Sequence, residues 1–84
     1  GQDKGVAMKL AVIGLGYVGI VTGACFAGLG HRVACASTDA QRVEQLQSGK
    51  MPFYEEGLEA LLNTELASGN LSFTRDVAQA VRDS

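Results

Sequence analysis

The chain has no Trp, a single Pro (Pro52), a single His (His31), two Cys and seven basic residues. Each shortage excludes something. One His rules out a multi-His metal centre and leaves His31 as the sole imidazole for any triad. Cys25 and Cys35 form no CxxC pair and have no Cys or His at zinc spacing, so no metal site and no disulfide scaffold is expected. Both read as small apolar side chains buried in a reducing compartment, which points to the cytoplasm. The seven Lys and Arg are scattered singly, and the formal net charge is −2. Nucleic-acid binding, which needs clustered cations against phosphates, is therefore not expected.

Charge is also missing locally. From Leu10 to Gly30 there is no charged residue. A hydropathy scan alone would flag this run as a membrane span or a signal peptide. Gly14 and Gly16 argue against a spanning helix, since each costs about 1 kcal/mol relative to Ala in a helix. The β-branched start, Lys9–Ile13, suits a short buried strand instead. No membrane association is expected.

Glycine is abundant. Six of the eleven glycines fall between Gly14 and Gly30, without the every-third-residue period and high Pro of collagen. At 84 residues the chain is one domain at most. Chains of this size bury only about 60% of the surface that they expose when unfolded, so stability is marginal. Residues 1–7 read as a polar leader or expression remnant ahead of Met8, and 8–84 as the folded unit.

Strands are expected at Lys9–Ile13, Arg32–Ala36 and Leu71–Thr74. A helix runs from about Tyr17 to Gly28, stopped by Gly28 and Gly30. Ser37, Thr38 and Asp39 are cap-type residues, and Thr38 with Gln41 fits a capping box. The helix after it carries Val43 and Leu46 and ends near Gly49. Leu58, Leu61, Leu62 and Leu66 form one stripe of a further helix. Val77 and Val81 lie one turn apart in a last short one. Strands alternating with helices imply a parallel sheet with right-handed crossovers. Three such strands make an α/β fold that is the first half of a doubly wound sheet, Rossmann-like βαβαβ with strand order 3-2-1. Strand 1 would then present an apolar open edge, a template for self-pairing, and a homo-oligomer or other self-association through that edge is expected.

Gly14-Leu15-Gly16-Tyr17-Val18-Gly19 is a G-x-G-x-x-G between an apolar strand and a helix. Gly14 would allow the tight turn, Gly16 the close approach of a pyrophosphate, and Gly19 the packing of helix on strand. The helix N-terminus offers free N–H groups to phosphate. The fingerprint also wants an acid about 20 residues on, for the ribose 2′-hydroxyl. Asp39 has that spacing from Gly19, but the end of the second strand falls nearer Ser37.

These residues resemble the UDP-glucose/GDP-mannose dehydrogenases, NAD-dependent nucleotide-sugar 6-dehydrogenases. MKLAVIGLGYVG (Met8–Gly19) is similar to their opening, with GLGYVG far more specific than the bare glycine pattern. TGACFAGLGH (Thr22–His31), GKMPFYEEGLEALL (Gly49–Leu62) and ASGNLSFTRD (Ala67–Asp76) resemble the segments that follow. The resemblance covers Met8 to Ser84 and only the N-terminal part of a family enzyme. It implies oxidation of the C6 alcohol of a nucleotide sugar to the carboxylate with two NAD. The family's catalytic cysteine motif lies further along than this chain extends, and neither Cys25 nor Cys35 matches it, so no catalytic residue is expected here. The nucleotide-sugar substrate would meet only the longer enzyme.

What carries over is the cofactor half. Tyr17 and Val18 match the backbone pyrophosphate contacts, and Arg42 matches a basic residue, usually Lys, that reaches the cofactor. Ser37 stands where the family has the ribose-binding Asp, which implies weaker NAD binding and some acceptance of NADP. Glu56 replaces the family's usual Pro, with little effect on chemistry expected. His31 reads as structural. Glu55, Glu56 and Glu59 read as a solvated helix start, and Phe53 and Tyr54 as packing residues. The alternatives are a non-catalytic nucleotide-binding module and a self-associating fold fragment.

Overall fold

The computed structural model describes residues 7–84; the leader expected at 1–7 lies, but for Ala7, outside them. The elements are β1 (Lys9–Ile13), α1 (Tyr17–Gly28), β2 (Arg32–Ala36), α2 (Ala40–Gln47), α3 (Leu58–Ser68), β3 (Leu71–Thr74) and α4 (Val77–Arg82). One parallel sheet has the order β1-β2-β3, with Lys9 opposite Arg32, Ile13 opposite Ala36 and Val33 opposite Leu71. This is the half of a doubly wound sheet that the alternation of strands and helices implies.

The pleat sorts the strand residues into two faces, because successive side chains alternate and paired residues point the same way. Leu10, Val12, Val33, Cys35, Leu71 and Phe73 share one face. Helix α1 packs on it through Ile20, Ala24 and Ala27, joined by Val43 and Leu46 of α2 and by Leu58 and Leu62 of α3. Helix α1 comes close because Gly23 lies over Cys35; a Cβ there would stand 2.5 Å from the sulfur. The other face holds Ala11, Ile13, Ala34 and Ala36. Helix α4 packs against β2 and β1 and buries Ala80. Val77 is only half-buried and Val81 is 52% exposed, so the inward position of α4 lies between the two valines.

Three expectations are corrected by packing. Asp39, not Thr38, caps α2: its carboxylate accepts the Arg42 N–H at 3.1 Å. Cys35 is buried, but Cys25 is exposed on the outer side of α1. That helix is apolar on every side, so composition alone could not say which face turns inward. Finally, β1 reads as a strand buried on both faces, yet none of its five residues is fully buried. It is the edge of this sheet, and no neighbour covers its outer side among the described residues.

Candidate functional site

The turn between β1 and α1 stands at the C-terminal end of the sheet. Gly14 has φ +99°, in the region that side chains disfavour, and its N–H donates to Ala36 O at 2.9 Å. This bond carries the turn across to the end of β2. Leu15 then drops its side chain into the core, 5% exposed, and anchors the loop from beneath. Gly16 is the N-cap of α1, and a Cβ on it would meet nothing within 4 Å. A Cβ on Gly19 would run into the Gly14 carbonyl oxygen. The three glycines thus differ in what they do. Gly14 makes the turn, Gly16 leaves an open approach, and Gly19 seats the helix against the turn.

The helix mouth is uncapped. The first helical bond of α1 runs from Ile20 N–H to Gly16 O at 3.1 Å, and among the described residues no side chain caps the amides before it. N-termini left this way are ordinarily satisfied by Ser, Thr, Asp or Asn, by water or by a ligand. Here Gly occupies the cap position and the amides of Tyr17, Val18 and Gly19 open outward. Val18 is 74% exposed at the mouth. Uncapped amides, the positive helix end and open space above Gly16 together suit an anionic phosphate.

Ser37 is the first residue past β2. Its N–H donates to Thr74 O at 3.1 Å, and its Oγ accepts the Asp39 N–H at 3.1 Å. The structure therefore brings Ser37 to the same sheet end as the glycine turn, while the Asp39 carboxylate is engaged at the start of its own helix. Arg42 lies one turn into α2. Its Nη1 donates to Leu15 O at 2.5 Å, which places the guanidinium against the glycine loop.

A wall that sequence reasoning missed is formed by the loop before α3. The Tyr17 hydroxyl donates to Glu55 Oε2 at 2.5 Å, and the Tyr17 and Phe53 rings meet with centroids 5.2 Å apart. Glu59 accepts the Met51 N–H at 3.0 Å. All three glutamates are exposed, but Glu55 and Glu59 have defined partners. Phe53 does pack against the core, but Tyr54 is 91% exposed and is not the packing residue expected. The signal for the Tyr17 contact was present only as the pairing of GLGYVG with the later PFYEEG. His31 is structural, as expected: its Nδ1 accepts the Met8 N–H at 3.0 Å and its ring meets the edge of Phe26.

The bond to Glu55 holds the Tyr17 phenol above its ordinary value of 10.0, because ionisation would lose the bond and set two anions together. The contact therefore contributes to stability below about pH 10 and is lost as pH rises past the raised value. Ultraviolet titration, with Tyr17→Phe as reference, should show Tyr17 ionising late and Glu55→Gln bringing it back down. An unchanged curve in Glu55→Gln would refute the contact. Burial alone pushes the Cys35 thiol up to about 12, so it stays protonated at neutral pH.

The profile of the UDP-glucose/GDP-mannose dehydrogenase family, NAD binding domain, matches residues 8–84. The chain belongs to this family. It is 49% identical over 76 residues to the UDP-glucose 6-dehydrogenase of Pseudomonas aeruginosa, an alignment that covers 90% of this chain and 17% of that protein. Among solved structures, a ternary complex of GDP-mannose dehydrogenase from Pseudomonas aeruginosa superposes with a TM-score of 0.87 at 40% identity, covering 92% of this chain and 18% of that one. A UDP-glucose dehydrogenase from Pyrobaculum islandicum gives 0.86 at 43% identity, covering 96% and 18%. The chain thus spans under a fifth of the length of these family members, and the matched part is their NAD-binding portion. Among the described residues no helix is long and apolar enough to cross a membrane, and no group of three or more His, Cys, Asp or Glu could hold a metal ion.

Proposed function

We propose that this chain is the dinucleotide-gripping part of a nucleotide-sugar 6-dehydrogenase, working in the cytoplasm, whose whole enzyme oxidises the C6 alcohol of a UDP- or GDP-sugar to the carboxylate. NAD, when bound, would supply the hydride acceptor, a fresh molecule for each of the two oxidation steps. This chain's residues bind and orient it. The amides of Tyr17 and Val18 hold the diphosphate at the mouth of α1, with Gly14, Gly16 and Gly19 keeping that mouth open. Ser37 hydrogen-bonds the adenosine ribose. Arg42 reaches the cofactor from α2, and Asp39 fixes the start of that helix. NADP is admitted as well, because no carboxylate occupies the Ser37 position. The nucleophile and the sugar site belong to residues beyond these: Cys35 is a buried thiol, and Cys25 lies two turns along α1 from the mouth. Two unpaired cysteines suit a reducing compartment.

The observation that carries this reading is the uncapped helix mouth in a chain of this family. Amide chemical-shift mapping with NAD tests it. The Tyr17, Val18 and Gly19 resonances should move saturably with added NAD. If excess NAD leaves them in place, the reading fails.

A further inference from the structure

The end of β2 carries more than a weakened ribose contact. In dinucleotide sites of this architecture the adenosine ribose lies beside the end of the second strand. An acid there binds the 2′-hydroxyl, whereas a nearby Arg accommodates a 2′-phosphate. Three observations place this chain on the second side.

First, the position is neutral. Ala36 closes β2 opposite Ile13 and accepts the Gly14 N–H, so the next residue faces the glycine turn across one strand spacing. That residue is Ser37, with its backbone held by Thr74 O. Its Oγ already accepts the Asp39 N–H, and its hydroxyl proton has no acceptor among the described residues. The hydroxyl is thus a donor in waiting, as a phosphate oxygen requires.

Second, the one carboxylate in the segment is tied down. Asp39 Oδ1 accepts the Arg42 N–H and caps α2, where the positive end of the helix offsets its charge. Only its second oxygen, Oδ2, is left without a partner among the described residues.

Third, the cation is in place and uncommitted to any anion. The half-buried Arg42 makes one side-chain hydrogen bond among the described residues, to the neutral Leu15 O. Four of the five guanidinium N–H groups remain for a ligand. Guanidinium suits phosphate in geometry and keeps its charge at any physiological pH.

We propose that Ser37 and Arg42 form a 2′-phosphate site, so that this chain binds NADP at least as tightly as NAD. The proposal rests on the reading of the glycine turn as a dinucleotide site. Two residues then set specificity: Ser37 by donating a hydrogen bond and omitting a charge, Arg42 by supplying one.

The test is calorimetric titration of the chain with NAD and with NADP, each followed also by the Tyr17 and Val18 amide shifts. Adenosine 2′,5′-bisphosphate and 5′-AMP serve as smaller probes that differ only in the 2′-phosphate. The expected result is an NADP affinity equal to or above that for NAD, and tighter binding of the bisphosphate than of 5′-AMP. Ser37→Asp should weaken NADP at least tenfold while NAD binding holds or improves. Arg42→Gln should weaken NADP more than NAD, which a merely structural grip on Leu15 O would not do. If NAD binds tenfold more tightly than NADP, or if Ser37→Asp leaves their ratio unchanged, the 2′-phosphate site is overturned while the dinucleotide reading stands. If neither dinucleotide moves the Tyr17 and Val18 amides, both fall together.

Discussion

Replacing Gly19 by Ala should unfold much of what replacing Gly16 by Ala leaves intact, although the two glycines belong to one motif. A Cβ on Gly19 would overlap the Gly14 carbonyl oxygen, a backbone atom that cannot rotate away. Relief would need α1 to lift from β1 or the Gly14 turn to reopen. The first loosens Ile20, which is fully buried, and the second breaks the Gly14 N–H bond to Ala36 O. Overpacking of this kind costs about 1–3 kcal/mol, a large share of the stability of so small a domain. At Gly16 the space is open and φ is −80°, which any residue adopts. Gly16→Ala should therefore change stability by less than about 0.5 kcal/mol, as for a surface substitution. Its methyl would instead occupy the approach to the Tyr17 and Val18 amides, so dinucleotide affinity should fall at least tenfold. Urea unfolding read beside NAD titration separates the two effects. Equal loss of stability in both variants would refute this division of labour.

The second large effect concerns association. Met8 O accepts from Arg32 N–H, and Gly14 N–H donates to Ala36 O. Alternation along a strand then turns the N–H and C=O groups of Lys9, Ala11 and Ile13 to the open side of β1. No Pro or bulge guards this edge, and Ile13 is 53% exposed beside it. In a longer chain this is where a further parallel strand adds, and α4 already crosses back against β2 and β1. We propose that the 84-residue chain by itself forms homo-oligomers by pairing β1 with β1 of a second copy. Sedimentation should show mass rising above 8.8 kDa with concentration. Ile13→Lys, a charge of the kind that protects natural edges, should return the chain toward monomer with its helix content unchanged. A wild-type chain that stays monomeric at every concentration reached would rule the pairing out.

The sequence by itself determined the order and bounds of the strands and of α1, because apolar runs and glycine punctuation are local signals. It also marked the glycine turn, since Gly14, Gly16 and Gly19 stand at fixed offsets between a strand and a helix. It did not determine which side of α1 faces inward, because that helix is apolar all round; packing against Val33 and Cys35 decided this and left Cys25 outside. Nor could it choose among Ser37, Thr38 and Asp39 as the cap of α2, all three being chemically suited. The hydrogen-bond geometry gave the cap to Asp39 and left Ser37 at the strand end. The grip of Arg42 on Leu15 O spans 27 residues and that of Tyr17 on Glu55 spans 38. Contacts at such separations leave no periodic trace along the chain. They exist only once the sheet has brought the turn, α2 and the loop before α3 to one end.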